Sequence, residues 1–408
     1  MAAAGLTGRE PRAKWLPYGG RVRIRAVLLV PAVVAMIGRP ALLVGAAVLA
    51  GPAVLGDPLA AAATSSVAFR FADPRIDEAS GLAVGVRSPG VVYVQNDSGD
   101  SARFFAVDAS TGRTVAVCQV PDARNVDWED LATGPDARRV PSVWLGDIGN
   151  NDESRTSITV YRVDEPAVGS GSGASGSGGD LATGRPDVWR LRYPDGPHNA
   201  EALFVDPLSH RVYLVTKSLF GRSEVFELPA APSGPGTATQ ALSRVGSIDF
   251  EFTGTTGGPN LVGQLTATGA SMSADGSRLV VRTYTDAYLW PVRGSDVPGA
   301  LAGKPTRTPL PEQPLGEGIA FGGRGLLIDT EGAGSPVYTV ALPAVTKHPP
   351  AASSSAAARP TPGATTSQPR PVSAGHNGDR SLGWALASCA VVGAALAGWG
   401  MRRVSKRH

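Results

Sequence analysis

Trp128-Glu-Asp-Leu-Ala132, Ser142-Val-Trp-Leu-Gly-Asp-Ile-Gly-Asn-Asn151 and Ile158-Thr-Val-Tyr-Arg-Val163 follow one another along the chain, and their reading decides the fold. Each is a short run of apolar and β-branched residues bounded by Gly, Asn, Asp, Ser or Pro, which is how strands and turns are written. The same succession recurs upstream in Glu78-Ala-Ser-Gly-Leu-Ala-Val84, Gly90-Val-Val-Tyr-Val-Gln-Asn-Asp-Ser98 and Arg103-Phe-Phe-Ala-Val-Asp108. Downstream it recurs in Asn199-Ala-Glu-Ala-Leu-Phe-Val-Asp206, Arg211-Val-Tyr-Leu-Val-Thr-Lys217 and Glu224-Val-Phe-Glu-Leu228. A fourth unit reads Ala270-Ser-Met-Ser-Ala-Asp-Gly276, Arg278 to Asp286 and Ala287-Tyr-Leu-Trp290. The fifth reads Gly316-Glu-Gly-Ile-Ala-Phe321, Gly325-Leu-Leu-Ile-Asp-Thr-Glu331 and Pro336 to Leu342.

Repetition of a three- or four-strand unit, with no stretch of helical period, predicts an all-β β-propeller of five four-stranded blades. Val115 to Val120, Val188 to Tyr193 and Arg244 to Phe252 supply fourth strands. The fifth unit lacks one, whereas Ser66 to Ala72 is a strand without a unit, so the N-terminal strand is expected to close the last blade and protect its edge. Six blades is the alternative if residues 230–265 hide another unit. Pro291 to Pro311 reads as loop, which favours five. A β-sandwich is a weaker alternative, because it does not require an acidic residue at the head of each unit. Gly169 to Gly179 reads as a flexible insertion: it has no Lys where a phosphate loop needs one.

Both ends differ from this centre. Residues 1–63 read as a signal-peptide region: Arg21-Val-Arg-Ile-Arg25, two apolar stretches, then Ala60 to Ala63, with Met36 a possible true start. A retained N-terminal membrane helix is the other reading of that region. The propeller domain is expected over 64–343. Residues 344–381, rich in Pro, Ala, Ser and Thr, read as an extended stalk, since they hold almost no apolar side chains to bury. Residues 382–401 are long and apolar enough for one transmembrane helix, and the basic tail 402–408 places that end in the cytoplasm. The expected location is therefore the cell membrane, single-pass, with the folded domain outside.

The 38 Lys and Arg against 35 Asp and Glu leave a net charge of +3, and no basic face suggests nucleic acid. Of the two cysteines, Cys118 alternates in a strand pattern and is expected to be a buried structural thiol, while Cys389 lies in the last apolar run.

In a propeller, the loop leading into each innermost strand and the loop leaving the second strand emerge on the same face. That rule gathers Glu78, Glu129, Glu201 and Glu317 with Asn150 and Asp329 as candidate ligands for Ca²⁺ or another divalent cation, since hard cations prefer oxygen. Asp97, Asp147, Lys217, Arg282 and Tyr284 are the candidates for ligand binding on the same face. The bland alternative is that these polar groups cap turns.

Asn96-Asp-Ser-Gly99, Trp128-Glu-Asp-Leu-Ala132, Leu145-Gly-Asp-Ile-Gly-Asn-Asn151 and Asn199-Ala-Glu-Ala-Leu203 resemble the motifs of secreted actinobacterial β-propellers of unassigned function. More distantly, the chain is similar to the regucalcin and gluconolactonase group and to NHL and TolB-type propellers. The gluconolactonase resemblance implies a divalent metal that polarises a lactone, with Glu78 or Glu129, Asn150 and Asp329 as the nearest counterparts. The first-blade signature of that group is incomplete here, and the blades are fewer. The leading expectation is a cell-surface module that binds an extracellular ligand, glycan or protein. The alternative is a divalent-metal-dependent hydrolase of lactones, phosphoesters or sugars.

Overall fold

The computed structural model describes residues 64–169, 179–233, 238–323 and 325–342. Every described residue lies in one compact unit. The expected signal region, stalk, transmembrane segment and basic tail lie outside the described residues. Among the described residues no helix is long and apolar enough to cross a membrane.

The described chain opens with β1 (Ser65–Arg70), and blade 1 follows as β2 (Ala79–Val84), β3 (Val91–Asn96), β4 (Arg103–Asp108) and β5 (Thr114–Gln119). Blade 2 is β6 (Trp128–Pro135), β7 (Pro141–Asp147) and β8 (Ile158–Asp164), then, after the short β9 (Gly179–Ala182), β10 (Asp187–Arg192). Blade 3 is β11 (Ala200–Val205), β12 (Val212–Thr216) and β13 (Arg222–Glu227), then, after β14 (Gln240–Ala241), β15 (Ser243–Asp249). Blade 4 is β16 (Ala267–Met272), β17 (Arg278–Thr283), β18 (Asp286–Pro291) and, beyond the helix α1 (Val297–Leu301), β19 (Thr306–Pro309). Blade 5 is β20 (Ile319–Gly322), β21 (Gly325–Ile328) and β22 (Pro336–Val340), completed by β1, which runs antiparallel to β22 from Ser65 opposite Val340 to Arg70 opposite Pro336.

The predicted five-blade closure is therefore the observed one. The innermost strands pack in a ring: β2 on β6, β6 on β11, β11 on β16, β16 on β20, and β20 back on β2. Each blade is apolar on both faces, and a buried cluster fills each of the five gaps between neighbouring blades. Double-sided burial is why the second strands read as nearly unbroken apolar runs rather than alternating ones, such as Val91-Val-Tyr-Val94. Cys118 is buried in the gap between blades 1 and 2, as expected of a structural thiol. All five gaps and the closing strand are completed within residues 64–342, so this segment carries its whole core.

Three expectations need correction. Pro291 to Pro311 is not simply loop. Asp296 Oδ1 accepts from the Gly299 amide at 2.9 Å and starts α1, and Thr306–Pro309 is the outer strand of blade 4. The prolines mislead because Pro298 sits in the first turn, where no amide is needed, and Pro309 ends an edge strand. The fourth blade begins at Ala267, not Ala270, because Ala267 pairs with Thr283. Blades 1 and 2 also carry a fifth strand: β9 pairs parallel with β5 and β14 with β10, each donated by the blade that follows. The Gly and Ser insertion between β8 and β10 thus delivers β9 to its neighbour's edge, which shields that edge from other chains.

Candidate functional site

Register fixes which side chains meet at the axis. Near the head of the innermost strand, pairing slips between Ala79 and Gly81, Trp128 and Leu131, Ala200 and Ala202, and Ala267 and Gly269. A bulge leaves the extra residue out of the ladder and re-aims its side chain. The residues so placed are Ser80, Glu129 with Asp130, Glu201 and Thr268; Glu317 comes two residues before β20. Neighbouring strands come so close here that a Cβ at Gly81 would lie 2.5 Å from the Leu131 amide, and one at Gly318 would lie 2.6 Å from the Leu82 amide. Three residues beyond the partners of Leu82, Leu203 and Ala270, the first residues past the second strands are Asp97, Lys217 and Tyr284, at the same mouth.

Glu129 sits among charged neighbours while being only 2 % exposed to solvent. Its Oε2 accepts from the Ser80 hydroxyl at 3.3 Å, and its Oε1 is buried with no hydrogen-bond partner. One oxygen from each of Asp97, Asp127 and Glu129 lies within 4.8 Å of the others. Burial first, and then repulsion from Asp97, Glu201 and Asp127, raises the Glu129 carboxyl well above its ordinary value. The loop leaving β7 closes over this group through Gly149, where a Cβ would sit 2.5 Å from Asp127 Oδ2 and nearer still to Glu129 Oε1.

Glu201, by contrast, is partnered at both oxygens. Its Oε2 pairs with Lys217 Nζ at 3.0 Å and its Oε1 accepts from Asn199 Nδ2 at 3.0 Å. Lys217 also donates to the Tyr284 hydroxyl at 3.0 Å. Burial pulls the ammonium down, but Glu201, Tyr284, Glu317 and Glu129 together hold it well above its usual value. Glu317 is buried with Oε2 unpartnered, and burial pushes its carboxyl well up, against the opposing pull of Lys217.

Two residues deeper by register, Arg282 and Asp329 are fully buried. Arg282 donates to the Gly318 carbonyl at 3.0 Å, the Thr283 carbonyl at 3.1 Å and Gln313 Oε1 at 3.1 Å, and burial lowers it to about 10. Asp329 Oδ1 accepts from the Gly318 amide at 2.6 Å, its Oδ2 has no partner, and burial raises it to about 6. On the axis Asp130 Oδ2 accepts from the amides of Leu203 at 2.8 Å and Ala270 at 3.2 Å, tying blades 2, 3 and 4 together.

Glu129, Glu201, Glu317, Lys217 and Tyr284 therefore come together at one mouth, and Asp97 joins Glu129 there. Arg282 and Asp329 meet one layer down, as a clamp between blades 4 and 5. Asp147 and Asn150 hold loops: Asp147 Oδ1 accepts from the Asp127 amide at 3.1 Å and pairs with Arg155 at 3.0 Å, while Asn150 Oδ1 accepts from the Arg155 amide at 2.8 Å and Nδ2 donates to the Arg155 carbonyl at 3.1 Å. Glu78 is half-buried, and Ser80, not Glu78, occupies the bulge position in blade 1. Sequence reading missed Ser80 and Thr268. Alignment on the four-residue pattern Ala79-Ser-Gly-Leu82, Trp128-Glu-Asp-Leu131, Ala200-Glu-Ala-Leu203, Ala267-Thr-Gly-Ala270 and Gly316-Glu-Gly-Ile319 exposes both.

Beside the mouth, between blades 3 and 4, opens a cleft of about 420 Å³ whose floor is Lys217 and Tyr284. No family model matches the chain, and no curated protein matches it. Solved structures similar to it include a gluconolactonase from Xanthomonas campestris, at 15 % identity and a TM-score of 0.33 over 65 % of this chain and 72 % of that one. Others are a chain of the mitotic checkpoint complex, at 11 % identity and 0.30 over 64 % of this chain and 63 % of that one, and hydrazine synthase of Kuenenia stuttgartiensis, at 11 % and 0.31 over 61 % of each.

Proposed function

We propose that this protein is a ligand-binding propeller whose axial mouth uses a divalent cation, and that segment 382–401 holds it at the outer face of the cell membrane. The observation that carries the cation is Glu129 Oε1, a buried acceptor with no partner, beside the carboxylates of Asp97 and Asp127. An uncompensated buried carboxylate is costly, and oxygen-only donors suit Ca²⁺ or another hard ion. Asp97, Asp127 and Glu129 would hold it, and a bound ion would present its open positions to a ligand entering the mouth. The membrane location is supported by the order of apolar, stalk and basic segments in the sequence.

One observation favours a cation-dependent hydrolase as second reading. A bound cation would polarise an ester or lactone carbonyl. Glu317 keeps an unpartnered Oε2 at the same mouth, and burial raises its carboxyl well above its ordinary value, the direction that suits a general acid.

The test is calorimetric titration of Ca²⁺ and Mn²⁺ into chelator-stripped protein comprising residues 64–343. The expectation is one ion per chain, and a loss of at least about tenfold in affinity in Glu129→Gln, worth ~1.4 kcal/mol. Absence of binding heat together with an unmoved melting temperature at millimolar ion defeats the cation reading and with it the hydrolase.

A further inference from the structure

The cleft between blades 3 and 4 has walls unlike its floor. On one side the turn between β12 and β13 presents Leu219, 42 % exposed, and Phe220, 81 % exposed. Their exposure is built into the turn. The Phe220 amide is tied to Ser218 Oγ at 3.2 Å, and Gly221 adopts φ +85°, with the Phe250 carbonyl 2.5 Å from where a Cβ would stand. The other wall is Pro259 and, on the 3₁₀ turn Leu261–Gln264 that follows it, Val262. That turn is capped by Asn260 Oδ1, which accepts from the Val262 amide at 2.9 Å, and pinned to the floor by the Tyr284 amide, which donates to the Gly263 carbonyl at 3.2 Å. Two rigid apolar walls thus face each other over a polar base.

At the inner end the amides are ordered in one direction. Asn199 Oδ1 accepts from the Asn150 amide at 2.6 Å, and Asn199 Nδ2 donates to both Glu201 Oε1 and Asn151 Oδ1, each at 3.0 Å. Asn199 is thereby saturated, and Asn151 Nδ2 remains a buried donor without an acceptor, on the lining of the cleft. The cations of the lining are already matched, Lys217 by Glu201 and Arg222 by Glu224 at 3.2 Å, and the exposed carboxylate of Glu153 adds negative charge that disfavours an anion. A site with an unmet donor, matched cations and apolar walls asks for an uncharged molecule that brings an acceptor oxygen and an apolar body, and about 420 Å³ is the size of a small-molecule pocket.

We infer that this cleft binds the apolar body of a small uncharged amphiphile whose carbonyl-type oxygen accepts from Asn151 Nδ2, next to Lys217 and Tyr284. The inference deepens the reading of the mouth as a ligand site by naming the ligand class.

The probes are butanamide, hexanamide and octanamide, titrated by ligand-observed NMR into residues 64–343 with Ca²⁺ and, separately, with chelator. Affinity is expected to rise about fifteenfold for every two methylenes, since each buried CH₂ contributes a factor of about four. Phe220→Ser, a change at an exposed position that spares the fold, should flatten that rise. Asn151→Ala should weaken all three amides alike, by roughly fivefold. Affinity independent of chain length, a rise that survives Phe220→Ser, or octanoate binding more tightly than octanamide overturns the inference. The two readings fail separately: a chain-length series intact in chelator, with no ion bound, removes the cation alone, whereas an ion bound with no chain-length dependence removes the amphiphile alone.

Discussion

Gly149→Ala adds one methyl group to the loop that covers Glu129, and the geometry fixes what that methyl meets. Its backbone is not in the left-handed region, so alanine is tolerated by the chain, yet the new Cβ would stand 2.5 Å from Asp127 Oδ2 and closer to Glu129 Oε1. Real Cβ contacts do not fall below 3.0 Å, so Asp127 must retreat by at least about 0.5 Å and Glu129 further. Calcium–oxygen distances span only about 0.3 Å, from roughly 2.3 to 2.6 Å, so both carboxylates leave coordinating range together. The expected result is a fall of tenfold or more in Ca²⁺ affinity by calorimetry, with a cost to cation-free stability of about 1 kcal/mol, as for modest overpacking. Gly184→Ala, where a Cβ meets nothing within 4 Å, is the control for a glycine-to-alanine change in a loop. A folded Gly149→Ala protein that binds Ca²⁺ within twofold of the parent refutes the placement of the ion among Asp97, Asp127 and Glu129.

The buried acids give stability an unusual pH dependence. Because burial raises Asp329 from 3.8 to about 6, the folded state holds that proton more tightly, so its contribution is full below about pH 4 and declines as pH climbs to 6, by at most ~3 kcal/mol. Glu129 and Glu317 extend the decline above pH 4.5, whereas Asp275, held at about 2 by Ser273 and Ser277, has the opposite slope and loses its contribution as pH falls from 3.8 toward 2. Urea unfolding of the cation-free protein at pH 4.5, 6 and 7.5 should therefore give its lowest midpoint at 7.5, with a shallower decline in Asp329→Asn; a midpoint that rises with pH contradicts the assignment. Phe69→Ala tests the closure: Phe69 is buried on β1 edge-to-face with Phe71 at 5.8 Å, and its loss should cost about 3–4 kcal/mol by urea unfolding, a cost below about 1 kcal/mol showing that β1 does not hold the ring.

Local pattern determined much of this protein. Apolar runs such as Val91-Val-Tyr-Val94, turn residues at their ends and an orphan strand at Ser66 to Ala72 were enough for five blades closed by the N-terminus, because strand propensity and two-sided burial are properties of neighbours in sequence. The same rule brought Glu129, Glu201, Glu317, Lys217 and Tyr284 to one mouth, since strand direction alone dictates which loops share a face. Tertiary structure decided the rest. A one-residue bulge exchanges Glu78 for Ser80 at the axis and moves the head of blade 4 back to Ala267, and a bulge is set by the partner strand rather than by the strand itself. Arg282 lies one residue inside the end of its strand and Lys217 one residue past the end of its own, so register between blades 4 and 5 seals one under carbonyls while the other faces a cleft. The parallel strands β9 and β14, the unmet donor of Asn151 and the paired walls at Phe220 and Val262 each join residues far apart in the chain, and their contacts exist only once the ring has closed.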